Sequence, residues 1–184
     1  MRLFVSVDLP DRLADAVRAV QSEFEDASGL SFTDPTQAHI TLKFLGEVAP
    51  DQLDTVADMV AAGIDDAAVD PFEVSVEDLG VFPSLEYISV LWVGIEQGSA
   101  PLVQLHEAIE QQAVAAGFEA ETHEFTPHVT IARMNHAGGK QLVQQTVRTR
   151  TPDLGRFSAE TVALTESKLT PDGPEYSTVK SFSL

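Results

Sequence analysis

Two four-residue segments of the chain repeat one pattern, His39-Ile40-Thr41-Leu42 and His128-Val129-Thr130-Ile131. Residues two apart in a β-strand share a face, so each imidazole stands beside its own hydroxyl while the apolar residues pack behind. If the two strands face one another, two imidazoles and two hydroxyls converge on one cleft. That set suits a tetrahedral phosphate, with one imidazole taking a proton, the other giving one, and the hydroxyls holding the remaining oxygens. Thr supplies 14 of the 184 residues, so composition alone puts Thr two places after two of five His in roughly one sequence in twenty. At this level, ordinary strand histidines bonded to neighbouring threonines explain the pattern equally well. What sharpens it is setting: both tetrads fall in strand-like runs at equivalent places of a repeat.

Other chemistries are less well supplied. With no Cys there is no disulfide framework, thiolate zinc site or cysteine nucleophile. No His-x-His pair appears and the carboxylates are dispersed, so no metal is expected. His106 on a helix, His123 in a polar stretch and His136 in a loop lack a Thr two places on and read as bystanders. There is no Walker-type phosphate loop, and no cofactor is expected.

The flanking sequence sets both tetrads in one repeated plan. Leu3, Val5 and Val7 alternate with Phe4, Ser6 and Asp8, the period of a strand. After Pro10 and Asp11, the residues Leu13, Val17, Val20 and Phe24 follow at helical spacing. A short strand over 39–44 ends at Gly46, a helix from about Pro50 turns Leu53, Val56, Ala57 and Val60 inward, and 72–79 alternates again. The second half repeats the order, with strand over 87–95, helix over 101–116, strand over 128–133, a weaker helix over 139–147 and strand over 161–168. A shift of 89 residues carries His39 onto His128, Thr41 onto Thr130 and Leu3 onto Trp92, which predicts a duplication or pseudo-two-fold pair of lobes. A last strand over 176–182 has no counterpart in the first half. No low-complexity linker separates free domains.

At these residues the sequence resembles the RNA 2′,3′-cyclic phosphodiesterases, also called 2′-5′ RNA ligases, of the 2H phosphoesterase superfamily. The likeness runs almost end to end through MRLFVSVDLP, HITLKFLGEV, GVFPSLEYISVLWVGI, FTPHVTIAR and ESKLTPDGPEYSTV. It implies an α+β fold of two pseudo-symmetric lobes, each an antiparallel sheet flanked by helices, with a central cleft. The whole chain, 1–184, would be one domain, its lobes about 1–85 and 86–184 by the repeat, with exchange of strands between them left open. The resemblance makes His39 the general acid and His128 the general base, with Thr41 and Thr130 on the phosphate oxygens. It implies metal-independent opening of RNA 2′,3′-cyclic phosphate ends to 2′-phosphates, and 2′-5′ ligation as the same chemistry reversed. A phosphodiesterase for a small cyclic nucleotide or a 2′-5′ oligoadenylate, and a non-catalytic binder of RNA ends, stand as alternatives.

Secondary substrate contacts follow from position. Arg133, five residues past His128, is expected to meet a phosphate or stack on a base. Lys43 follows Thr41 by two and shares its face if the strand is regular, within reach of a phosphate. Phe125 and Tyr176 offer stacking surfaces for a terminal base. Partners are thus RNA ends or small cyclic nucleotides, with no membrane and a monomer expected. The opening residues lack a signal peptide's apolar region and no apolar run spans a membrane, so a cytoplasmic protein is expected.

Composition adds one constraint. Eleven basic residues, only four of them Lys, stand against 29 acidic ones, a net charge of −18. A skin this acidic argues against long stretches of bound polyanion and fits a cytosol at molar salt, where self-repulsion is screened. A halophilic host predicts a fold that gains stability between about 0.1 and about 3 M KCl, where the screening length shortens to a few ångströms. Equal stability at both ends of a salt titration contradicts it.

Overall fold

The apolar residues of the first strand-like run, Leu3, Val5 and Val7, are fully buried, which fixes the core face of the sheet. The computed structural model describes all 184 residues. In chain order the elements are β1 (Arg2–Asp8), α1 (Ala14–Ser22), β2 (Leu30–Phe32), β3 (His39–Glu47), α2 (Leu53–Ala67), β4 (Phe72–Pro83), β5 (Ile88–Ile95), α3 (Ser99–Ala115), β6 (His128–Met134), α4 (Lys140–Thr149), β7 (Asp153–Ala159), β8 (Thr161–Thr170) and β9 (Gly173–Ser183). The fold is α+β. No helix is long and apolar enough to cross a membrane.

The strands form one continuous sheet in the order β7-β4-β5-β6-β3-β1-β8-β9, with β2 paired beside β6. Every pairing is antiparallel. Read from its centre outward, the sheet runs β3-β1-β8-β9 on one side and β6-β5-β4-β7 on the other, so the halves match strand for strand. They do not match the halves of the chain. β4, from the first half, pairs with β5, while β8 and β9, from the second, return to β1. Strands are therefore exchanged, and the sheet's halves are not residues 1–85 and 86–184. The last strand has no counterpart in the first half of the chain, as expected; its match at the opposite edge of the sheet is β7, also from the second half.

Helices cross over as well. α1 sends Gln21 to the carbonyl of Ile131 on β6, and α3 sends His106 to that of Leu42 on β3. Between the two middle helices, a Cβ on Gly63 would come 2.8 Å from the Ile109 backbone, so glycine lets α2 lie close on α3. Thirty-seven apolar residues form a single core that runs through both halves of the sheet. Exchange of strands and helices means that neither half has a core of its own.

The two halves meet at one bridge, Ile40 against Val129. These are the same position of the two tetrads, so the pseudo-two-fold axis passes between them. Both strands also carry a β-bulge at the same place. The register against the inner neighbour slips between Val5 and Ser6 on one side and between Leu91 and Trp92 on the other, which leaves Leu42 and Ile131 as the extra residues. Their carbonyls are the ones that His106 and Gln21 reach, at 2.7 and 3.0 Å. Buried side-chain donors thus occupy carbonyls at the irregular points of the ladder. The expected shift of 89 holds for the tetrads but not for β1 and β5. There Asp8 pairs with His39 and Gly94 with His128, a shift of 86, because the second connection is three residues longer.

Candidate active site

The shared bridge places the two tetrads side by side. A regular antiparallel ladder through Ile40 and Val129 would set His39 level with Thr130 and Thr41 level with His128. The two imidazoles then lie on a diagonal, at positions about 7–8 Å apart in regular geometry with their Cβ atoms somewhat closer. All four side chains are on the face opposite the buried Ile40, Leu42, Val129 and Ile131. They are partly open to solvent, as a site for a soluble anion must be.

Each ring is held in the same way. His39 Nδ1 donates to the Gln37 carbonyl at 2.9 Å and His128 Nδ1 donates to the Thr126 carbonyl at 2.7 Å, both two residues upstream. A proton fixed on Nδ1 leaves Nε2 as the free atom of each neutral ring, the one able to exchange a proton. Aromatic neighbours fix the ring planes. Phe4 lies 4.9 Å from His39 and Tyr176 meets its edge at 5.1 Å. Around His128, Phe82 stands edge-on at 4.9 Å and Trp92 is tilted at 5.8 Å. Gly80 has no room for a Cβ because the Trp92 ring lies on it.

Burial pushes both imidazoles below their ordinary 6.5. The Gln37 carbonyl and the Asp8 carboxylate pull His39 back up, and Arg133 pushes it down. His128 is raised by the Thr126 carbonyl and lowered by the charges of His39 and Arg133. His128 therefore senses the charge of His39, and both rings sense that of Arg133. No group of three or more His, Asp or Glu side chains is assembled that would hold a metal ion.

The bulges decide which secondary residues reach this face. Arg133 is five residues past His128, an odd spacing that a regular strand would send to the core. The bulge at Ile131 turns it back to the tetrad's face, where it is exposed. The bulge at Leu42 does the reverse to Lys43, which goes to the helix side and is 2% exposed. There its Nζ pairs with Glu110 on α3 at 2.7 Å and donates to the Glu119 carbonyl at 2.7 Å, with Glu121 at 3.6 Å. A phosphate contact by Lys43 is not what this geometry offers. Phe125 is also elsewhere, stacked on buried His106 with ring centres 4.1 Å apart. Tyr176, by contrast, stands against His39. His123 and His136 are exposed, the latter accepting from the Gly138 amide at 3.1 Å.

Phe4, Asp8, Phe82 and Trp92 were not singled out from the sequence. Phe4 and Asp8 had a signal, since they alternate away from the core on β1. Phe82 had none, because β4 reaches Pro83 only by running beyond the alternating stretch that ends at Leu79, and Trp92 lies in the strand expected over 87–95 but is matched there to the core residue Leu3.

Comparison with known proteins gives one consistent result. Residues 9–170 match the 2′-5′ RNA ligase superfamily. A Methanocaldococcus jannaschii protein named RNA 2′,3′-cyclic phosphodiesterase is 30% identical over 183 residues, covering 99% of this chain and 100% of its own. A Methanothermobacter thermautotrophicus protein of the same name is 30% identical over 186 residues, covering 100% and 99%. Among solved structures, a Thermus thermophilus protein has a TM-score of 0.82 at 26% identity over 100% of this chain and 98% of its own. Escherichia coli LigT complexed with 3′-AMP has a TM-score of 0.80 at 22% identity over 100% and 97%, a likeness of fold.

The Lys43 ion pair has its own test. Burial works to raise the Glu110 carboxyl, but the Lys43 ammonium and the Glu121 amide hold it below its usual value. A carboxyl held low stabilises the fold at neutral pH, and that contribution is lost as pH falls through its folded value. Lys43→Met strands the carboxylate and should cost about 3–5 kcal/mol in denaturant unfolding at pH 7, part of it recovered by adding Glu110→Gln. KM for a cyclic nucleotide should not move. A raised KM with intact stability would restore Lys43 to the substrate.

Proposed function

The chain belongs to the 2′-5′ RNA ligase superfamily, and from that premise we propose that it hydrolyses 2′,3′-cyclic phosphate ends of RNA to 2′-phosphates. Its relatives of matching length carry the name of that activity. The observation that carries the mechanism is the Ile40–Val129 bridge, which sets two His-x-Thr pairs about one axis. With Nδ1 of both rings committed to a backbone carbonyl, both Nε2 atoms are available to the same ligand.

In the reaction, water attacks phosphorus in line with the bond to the 3′-oxygen. His128 Nε2 takes the water proton as the new P–O bond forms. The P–O3′ bond breaks, and the 3′-oxygen receives the proton that His39 Nε2 carries. The product has a 2′-phosphate and a free 3′-hydroxyl. Thr41 and Thr130 donate to the two non-bridging oxygens, whose charge Arg133 also offsets. The apolar and aromatic packing around the rings keeps them from wandering, so positioning supplies part of the rate. Ligation follows the same path with a ribose 5′-hydroxyl attacking phosphorus in place of water, the 3′-oxygen again leaving with the proton from His39, so that a 2′-5′ diester forms. The net charge of −18 favours a substrate gripped at its terminal phosphate over one bound along a chain of phosphates.

Turnover of 2′,3′-cyclic AMP tests this. His39→Ala and His128→Ala should each lower kcat by about 10²–10⁴-fold. Because burial lowers both imidazoles, the bell-shaped kcat/KM profile should peak on the acid side of 6.5. His128 regains its proton below the peak and His39 loses its proton above it. A flat profile from pH 5 to about 9, or full activity in either variant, contradicts two-imidazole catalysis.

A further inference from the structure

Two rings held by equivalent carbonyls, on equivalent strands, about one axis, have no intrinsic reason to carry different protons. Acid–base work in one direction requires that they do. The strand positions directly across from the two histidines differ. Opposite His39 on β1 is Asp8, and opposite His128 on β5 is Gly94. Asp8 does not hang free: the hydroxyl of Ser6, itself buried, donates to Asp8 Oδ1 at 2.9 Å and lies 3.3 Å from the Thr165 hydroxyl.

The other half carries no carboxylate at that position, and a side chain there would be tightly packed. A Cβ on Gly94 would sit 3.0 Å from the Glu77 carbonyl and 3.4 Å from the Trp92 ring. Aromatic rings flank both histidines, Phe4 and Tyr176 at His39 and Phe82 and Trp92 at His128, so they do not separate the two. An anion across the ladder, present on one side alone, favours the imidazolium there.

We propose that Asp8, aimed by Ser6, is the residue that polarises the histidine pair, keeping the proton on His39 and leaving His128 to act as the base. It is a positioning residue, acting through His39 without touching substrate, and the inference rests on the two-imidazole reading above. The charged and titratable groups facing His39 are Asp8 from β1, His128 and Arg133 from β6 and Tyr176 from β9. Those facing His128 are His39 and Arg133. Arg133 acts on both rings in the same sense, so it does not distinguish them. Only Asp8 is an anion, and it acts on one ring alone, raising His39 while no carboxylate raises His128.

The consequence is a sense of direction. A cyclic phosphate must bind with its 3′-oxygen toward His39 and its open face toward His128, because only His39 holds a proton to give. Exchange of the protons between the rings would ask water to enter from the opposite side.

Nitrogen-15 NMR of the imidazoles, titrated at constant ionic strength because salt screens an exposed carboxylate, reads the polarity without turnover. In the wild type His39 should titrate above His128. Asp8→Asn should lower the His39 midpoint and narrow or invert the gap, and Ser6→Ala should do the same more weakly, which keeps the test available if the first variant folds poorly. The matching pH–rate curve for 2′,3′-cyclic AMP should lose roughly three- to tenfold on its alkaline side and little on its acid side. A gap unchanged in both variants overturns the role of Asp8. A gap that closes in an enzyme unable to turn over any cyclic phosphate leaves Asp8 in place and overturns the proposed function instead.

Discussion

One backbone bridge, Ile40 to Val129, governs what the rest of the molecule can be. Because it joins equivalent residues, the symmetry axis of the whole fold runs through it, and each strand's His and Thr are carried to the same face of the same seam. Everything outside it reinforces that register. The strands flanking the seam on both sides are bound antiparallel to β1 and β5, and those in turn to β8 and β4. A slip of one residue at the seam would turn both tetrads into the core, so the buried Ile40, Leu42, Val129 and Ile131 hold the register by burial alone.

The paired bulges extend this logic. They make the last residue of each tetrad the extra one, switch the alternation beyond it, and so present Phe44 and Arg133 on the open face while Lys43 and Ala132 turn inward. One of those inward residues is a lysine, and a buried ammonium is tolerated only with close partners. Glu110 and the Glu119 carbonyl supply them, tying α3 and the 119–127 segment to the back of β3. The same segment contains Thr126, whose carbonyl fixes His128. His106 belongs to this support, donating to the Leu42 carbonyl and stacking on Phe125.

Much of this was legible in the chain. Strand-like runs located β1, β3, β4, β5, β6, β8 and β9, and helical spacing located the four helices, because those signals are local. The two tetrads were legible by repetition. β2 and β7 were not. The first is three residues long and mostly exposed, and the second carries Pro152 before it and Gly155 within it. Strand exchange could only be left open, because it is a choice of partner made across the chain. Lys43 was misplaced for a sharper reason: a period of two assumes a regular strand, and a bulge is invisible to it. That same bulge geometry is why Arg133, at an odd spacing, reaches the site. Asp8 was visible as a residue on the open face of β1, but its meaning depends on Gly94 occupying the matching place 86 residues on.

If both imidazoles address a single phosphorus atom, a crystal structure of the protein with adenosine 2′-monophosphate will show a phosphate seated over the Ile40–Val129 seam, with Nε2 of His39 and of His128 on opposite sides of it and the Thr41 and Thr130 hydroxyls on its remaining oxygens. A phosphate bound by only one of the two rings, or seated away from the seam, would contradict it.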